Sequence, residues 1–201
     1  MAQRSRLHVP RPPARPGDRP DFGYLTLSPP GAVPRPDAKA PAREVENLGR
    51  EMVRVLDDDG HAVGPWNPNL DPEELQVALR HMLLTRILAD RMQRMQRQGR
   101  ISFYMKSTGE EAVSVAQGMA LQPGDMLFPS YRNQGLFIVR GLSLVDLMCQ
   151  CLSNTRDMCR GRQMPIMYHW RAGNIFSISG NLATQFPQAV GWAMAAAIKV
   201  A

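Results

Sequence analysis

The sequence predicts an α/β domain preceded by a proline-rich arm. Three observations predict it. Helix-length apolar periodicities alternate with short apolar runs, the pattern of helices laid on a sheet. The chain has 201 residues, 44% of them apolar, enough to bury a real core. Most of its 17 prolines crowd into residues 1–48, which separates that segment from the rest.

Taken in order, residues 1–48 carry apolar islands, Leu7-His8-Val9 and Phe22-Gly23-Tyr24-Leu25, between prolines. They read as an extended arm that lies on another surface, with disorder as the alternative. Residues 49–70 form a linker: a short strand at 52–56, a turn at Asp57-Asp58-Asp59-Gly60 and a loop at Pro65-Trp66-Asn67-Pro68. Residues 71–201 are the main domain. Its strongest helix start is Asp71-Pro72-Glu73-Glu74, with a capping aspartate, a proline suited to the first helical position and acids at the positive end of the dipole. Leu75, Ala78, Leu79, Met82, Leu83 and Ile87 follow at helical spacing, and the helix is expected to reach about Gln98 and stop at Gly99. Met92 and Met95 read as core filler, and Arg91, Arg94 and Arg97 as a solvated or interfacial face.

A second helix is expected near Ser107 or Thr108, because Ser107-x-x-Glu110 and Thr108-x-x-Glu111 both fit a capping box. Met126-Leu127-Phe128 reads as a strand after the turn at Pro123-Gly124-Asp125. Ser143-x-x-Asp146 opens a third helix through Leu152. Residues 176–179 read as another strand, and a small-residue helix with Ala189, Gly191, Ala193 and Ala195 follows.

Charge and cysteine content narrow the classes. The net charge is +6, which permits anionic partners without choosing one. Cys149, Cys151 and Cys159 are odd in number and match no zinc spacing, so they read as buried free thiols. The first twenty residues are rich in arginine, but their prolines forbid the amphipathic helix of a transit peptide. No segment approaches a membrane span. A cytoplasmic location, with no nucleic-acid or membrane partner, is the expectation.

The residues alone suggest few sites. There is no dinucleotide fingerprint, phosphate loop or zinc-protease motif. Glu110-Glu111 is either a carboxylate pair or a helix cap. His169 is either an acid–base group or a structural histidine. Tyr131-Arg132 follows a strand in a polar turn, where an arginine binds an anion or simply faces solvent.

Four blocks add a family resemblance. Arg100-Ile101-Ser102-Phe103-Tyr104-Met105 with Gly109-Glu110-Glu111-Ala112, and Phe128-Pro129-Ser130-Tyr131-Arg132-Asn133-Gln134-Gly135, resemble the alpha subunits of 2-oxo acid dehydrogenases. Gly161-Arg162-Gln163-Met164-Pro165-Ile166-Met167-Tyr168 and Ile178-Ser179-Gly180-Asn181-Leu182-Ala183-Thr184-Gln185 are similar to the branched-chain group within that family. The arm resembles that of its bacterial members.

The resemblance implies a thiamine-diphosphate-binding fold, a parallel sheet flanked by helices. It implies that Tyr131 and Arg132 contact the cofactor, Arg132 at a diphosphate oxygen, and that Gly180 and Leu182 face its aminopyrimidine ring. Ser179, Asn181, Thr184 and Gln185 match positions that hold a potassium ion, a hard cation suited to hydroxyl, amide and main-chain oxygens. The family often has Ser and Pro where this chain has Gly180 and Asn181. Phe103 and Tyr104 would line an apolar pocket for a branched 2-oxo acid. The implied partners are a beta subunit, in an alpha2-beta2 assembly, and a lipoyl acyltransferase core. The activating carboxylate belongs to the beta subunit, so no catalytic residue is assigned to this chain.

The family's magnesium–diphosphate signature, Gly-Asp-Gly followed by Asn-Asn, comes after the small-residue helix, whereas this sequence ends at Lys199-Val200-Ala201. The expectation is therefore a C-terminally incomplete fold, an exposed apolar sheet edge and no activity for this polypeptide alone. The alternatives are a pyruvate or acetoin type of alpha subunit, which the 161–168 block disfavours, and a non-catalytic fragment that docks on a beta subunit.

Overall fold

The structure, a computed structural model, describes residues 17–19 and 27–200. The apolar islands at 7–9 and 22–25 lie outside the described residues. The chain divides between Asn69 and Leu70 into two compact units.

In the first unit, the end of the expected extended arm coils instead. A single helical turn, α1 (Ala42–Val45), runs into a 3-10 turn at Glu46–Arg50. Ala42, Arg43 and Glu44 are good helix formers, and Pro41 stands just before them, where its missing N–H costs nothing. The expected strand at 52–56 is reduced to one antiparallel bridge, Leu56 with Ala62. The turn between them is fixed by Asp57, whose Oδ1 accepts from the amides of Asp59 (3.0 Å) and His61 (2.8 Å). Gly31 and Gly64 cross so closely that a Cβ on Gly64 would lie 2.3 Å from the Gly31 Cα.

The second unit is built on α2 (Pro72–Arg97). At 26 residues it is about 39 Å long. Its start follows the sequence: Asp71 accepts from the Glu74 amide (2.8 Å), and Glu74 accepts from the Asp71 amide (3.1 Å). Its end is a Schellman motif, in which Gly99 (φ 71°) lets Gly99 N–H reach Gln96 O (2.9 Å) and Arg100 N–H reach Met95 O (3.0 Å). The buried face is Thr85, Leu88, Ala89, Met92 and Met95. Leu75, Leu79, Leu83 and Ile87 are exposed, although their spacing marks an apolar stripe.

Against α2 pack α3 (Glu111–Ala120) and α4 (Gln134–Val139), which also pack on each other. Two glycines permit the approach. A Cβ on Gly118 would meet Val139 at 2.8 Å, and one on Gly135 would meet Ser114, Thr85 and Val115 at 3.1–3.3 Å. The expected capping boxes at Ser107 and Thr108 do not form: α3 begins at Glu111 without a side-chain cap. The Glu111 carboxylate is taken by Arg86 and by the Gly109 amide (2.8 Å) instead. A buried acid that finds a cation has more to gain there than at an exposed helix end.

Ser143 opens α5 (Leu144–Cys151) by accepting from Asp146 N–H at 3.1 Å. From α5 the buried Gln150 pins the next loop, donating to Met164 O (2.8 Å) and accepting from Ile166 N–H (2.9 Å). Tyr168 then meets Phe137 edge to face at 5.2 Å inside the core. The last helix, α6 (Gln185–Val200), leaves Phe186, Val190, Met194 and Ile198 exposed.

No parallel sheet forms among the described residues. The expected strands at 126–128 and 176–179 give one parallel bridge, Leu127 with Ile175, beside one antiparallel bridge, Trp170 with Ile175. Leu127 N–H donates to Asn174 O (2.8 Å), and Phe176 N–H donates to Leu127 O (2.9 Å). The pairing stops there for local reasons. Pro129 has no N–H for a further rung, and the 3-10 turn Arg171–Gly173 with left-handed Asn174 (φ 56°) bends the partner segment.

Candidate functional site

The bridge is small, but it sets the geometry of the candidate site. Phe128 stacks on Phe176 (5.2 Å) and meets Trp192 of α6 edge-on (6.3 Å). Two further segments meet the 128–134 turn: 103–107, through Arg132 to Lys106 O and Gln134 to Met105 O, and 179–185, through Gln185 to Pro129 O.

The middle segment is a rigid turn. Asn133 Oδ1 accepts from Ser130 N–H (2.8 Å) and Ser130 O–H (2.9 Å), and Asn133 Nδ2 donates to Ser114 Oγ on α3 (3.2 Å). This turn presents Tyr131 and Arg132. Arg132 Nη1 donates to Lys106 O at 3.3 Å, and the guanidinium lies 5.9 Å from the Tyr131 ring. Glu110 is its nearest carboxylate, at a loose 3.9 Å. The Arg132 side chain remains 37% exposed, so donors of the guanidinium stay open to an anion from solvent.

The third segment holds the residues implied for the aminopyrimidine ring and the cation. Ser179 Oγ accepts from Asn181 N–H (3.2 Å), and Thr184 O–H donates to Asn181 O (2.9 Å). Gln185 Nε2 donates to Pro129 O at 3.5 Å, which ties this loop to the turn that carries Arg132. Gly180 is exposed, and a Cβ there would touch the Met167 methyl at 3.3 Å. Leu182 is 82% exposed.

The first segment carries Phe103 and Tyr104. Phe103 is half-buried against the core cluster. Tyr104 is buried within it, and its hydroxyl has no hydrogen-bond partner. Burial, then the nearby Cys151 and Asp90, raise the Tyr104 pKa. Lys106 is ion-paired to Asp90 of α2; that hydrogen bond holds the Asp90 carboxyl below its usual range.

Sequence reasoning missed several residues that build this region. Gln134 is fully buried, with Nε2 2.8 Å from Tyr131 O and 3.5 Å from Met105 O. The buried Asp157 orders the loop before the 161–168 block by accepting from Cys159 N–H (2.8 Å) and Gly161 N–H (2.7 Å). A polar residue beside an apolar helix start was the available signal for Gln134; nothing local marks Asp157. His169 stands apart: it is exposed and pairs through Nδ1 with Ser177 Oγ at 3.2 Å.

Among the described residues no helix is long and apolar enough to cross a membrane.

The chain is 56% identical over 194 residues to the 2-oxoisovalerate dehydrogenase subunit alpha of Pseudomonas aeruginosa, covering 96% of this chain and 47% of that protein. It is 43% identical over 139 residues to the mitochondrial subunit alpha 1 of Arabidopsis thaliana, covering 69% of this chain and 29% of that protein. It is 40% identical over 149 residues to the human mitochondrial subunit alpha, covering 74% of this chain and 34% of that protein. The chain thus spans about half the length of its bacterial relative and about a third of the mitochondrial ones. Residues 3–43 match a family described as 2-oxoisovalerate dehydrogenase E1 alpha subunit N terminal. Residues 79–201 match the family described as Dehydrogenase E1 component, and the chain belongs to that family.

Proposed function

We propose that this chain is the N-terminal portion of the alpha subunit of a thiamine-diphosphate-dependent dehydrogenase that decarboxylates branched-chain 2-oxo acids. The observation that carries the reading is the 56% identity to the bacterial 2-oxoisovalerate dehydrogenase alpha subunit across nearly the whole chain. The convergence of the 103–107, 128–134 and 179–185 segments supports it.

The residues present fit the cofactor. Arg132 offers a half-exposed planar guanidinium, steadied on Lys106 O, for one diphosphate oxygen. Tyr131 stands beside it in the same turn. Gly180 leaves backbone accessible for a ring, with Leu182 as an apolar face next to it. When bound, the thiazolium of thiamine diphosphate supplies an electron sink for decarboxylation. The protein's part is binding, orientation and exclusion of water. Phe103 and Tyr104 would form the apolar wall for a branched side chain.

Ser179, Asn181, Thr184 and Gln185 fit a potassium ion by donor chemistry: two hydroxyls, a main-chain carbonyl and an amide oxygen left free by the Nε2–Pro129 contact. Magnesium would accompany the diphosphate, and no residue of this chain is assigned to it. In the proposed assembly the acyl unit passes to a lipoyl group on an acyltransferase core, and a beta subunit completes the site in a cytoplasmic alpha2-beta2 enzyme with a parallel sheet. The exposed apolar faces of α2 and α6 suit such partners; the same faces favour, as second reading, a non-catalytic fragment that only docks.

The test is calorimetric titration of thiamine diphosphate with magnesium. Two preparations are compared, each co-expressed with a beta subunit: this chain, and this chain continued by the downstream half of the Pseudomonas relative. Saturable, magnesium-dependent binding by the continued chain, weakened by Arg132→Ala, is expected. Binding indifferent to Arg132 would overturn the assignment of the site, and no binding by either would favour the docking fragment.

A further inference from the structure

We infer that Gln134 is a positioning residue that sets the distance between the cofactor turn and the substrate wall, and so contributes to substrate selection. The inference rests on the function proposed above. It starts from a buried amide. Gln134 is the first residue of α4 and is 1% exposed. Both neighbours of its amide nitrogen are main-chain carbonyl oxygens, Tyr131 O at 2.8 Å and Met105 O at 3.5 Å. Carbonyls only accept, so the amide has one workable orientation, with the NH2 group towards both. The opposite face, Oε1, is buried and has no partner. A buried acceptor left without a donor is unfavourable. The residue is therefore ill suited to be mere filling, for which an apolar side chain would serve better.

What the amide joins gives it a purpose. Tyr131 belongs to the turn proposed to hold the cofactor, and Met105 directly follows Phe103-Tyr104, the proposed substrate wall. Arg132 from the same turn reaches the next carbonyl, Lys106 O, at 3.3 Å. Two side chains two residues apart thus grip two consecutive carbonyls. Arg132 is partly exposed and is proposed to turn to the diphosphate; Gln134 is buried away from solvent. Gln134 is then the half of the grip that persists whatever Arg132 binds. If it slackens, the Phe103-Tyr104 wall shifts relative to the cofactor turn. A displacement on the ångström scale is enough to degrade reactive geometry.

The test compares Gln134→Leu, which removes the amide and leaves an apolar side chain one atom shorter, with Gln150→Leu, which makes the same change at an equally buried amide that grips the 164–166 loop instead. The first readout is amide hydrogen exchange of the chain itself. In Gln134→Leu, exchange across residues 103–107 is expected to quicken by about tenfold, with no such change there in Gln150→Leu. The second readout uses the continued alpha subunit with its beta subunit. The ratio of kcat/KM for 3-methyl-2-oxobutanoate over pyruvate is expected to fall about fivefold or more in Gln134→Leu, with thiamine diphosphate affinity kept within about threefold. Unchanged exchange at 103–107, or equal quickening throughout both variants, overturns the clamp. Quickened exchange with an unchanged substrate ratio overturns the role in selection. A parent enzyme that does not prefer the branched acid refutes the proposed function, while the exchange result still decides the clamp.

Discussion

Arg132 donates to the backbone carbonyl of Lys106 at 3.3 Å, a contact 26 residues apart in sequence that fixes the one partly exposed cation of the 128–134 turn. A guanidinium held at one nitrogen and open at the others can bind an anion in a fixed direction. Replacing Arg132 by Ala in the continued alpha subunit is expected to weaken thiamine diphosphate binding by about 10–100-fold, the worth of one charged hydrogen-bonding group. Replacing it by Lys should recover only part of this, because an ammonium places its donors on a single nitrogen and lacks the planar fork that can hold Lys106 O at one nitrogen and an anion at another. Calorimetric titration of the three proteins checks the order.

The Arg86–Glu111 pair makes stability depend on acid. Its hydrogen bond to Arg86 holds the Glu111 carboxyl below its ordinary 4.5. The pair's contribution is fully present above the unfolded value, near pH 4.5, and is lost as pH falls through the lowered folded value. Glu111→Gln is therefore expected to lower the melting temperature at pH 7, with the gap to the parent closing as the pH drops below about 4.5. Thermal melts from pH 7 to pH 3 measure this. A gap that is constant across that range would mean that the difference does not come from the ionised pair.

Cys149, Cys151 and Cys159 are all buried and free. Burial raises the thiol pKa of Cys151 and of Cys159, which keeps them as unreactive thiols. A disulfide reagent at pH 8 is expected to titrate three thiols at least about tenfold faster in denaturant than in the folded protein. A fast native thiol would place one of them outside the core.

Gly118 is a packing requirement. A valine there would push into Val139, because even a Cβ would stand 2.8 Å from it. Gly118→Val is expected to cost about 1–3 kcal/mol in urea unfolding, and Gly124→Ala, where a Cβ meets nothing within 4 Å, much less.

What the sequence made legible was local. The Asp71 cap, the Gly99 stop and the Ser143 cap all formed as expected, because each is decided within a few residues. Met92 and Met95 are core residues, as their spacing suggests. The failures are non-local. Glu111 looked like part of a cap, and Arg86, 25 residues away, claims it. Leu75, Leu79, Leu83 and Ile87 have the periodicity of a buried face, yet the described residues leave them exposed. The runs at 52–56, 126–128 and 176–179 have strand composition, but a strand requires partners along its length, and these regions found only isolated bridges, at Leu56, Leu127 and Ile175. At the candidate site, the polar turn at Tyr131-Arg132 was visible in the residues with anion binding and solvent exposure both open, whereas its cofactor role and the choice of Gly180 and Leu182 came from family resemblance. Gln134 carried only the weak signal of a polar residue at an apolar helix start, and Asp157 was silent, since only its burial distinguishes it from a surface residue.

The most direct test of the account is the substrate preference of the continued alpha subunit assembled with a beta subunit and loaded with thiamine diphosphate and magnesium. Decarboxylation should be faster for 3-methyl-2-oxobutanoate than for pyruvate, with kcat/KM higher by about tenfold or more. Equal rates, or a preference for pyruvate, would contradict the branched-chain reading.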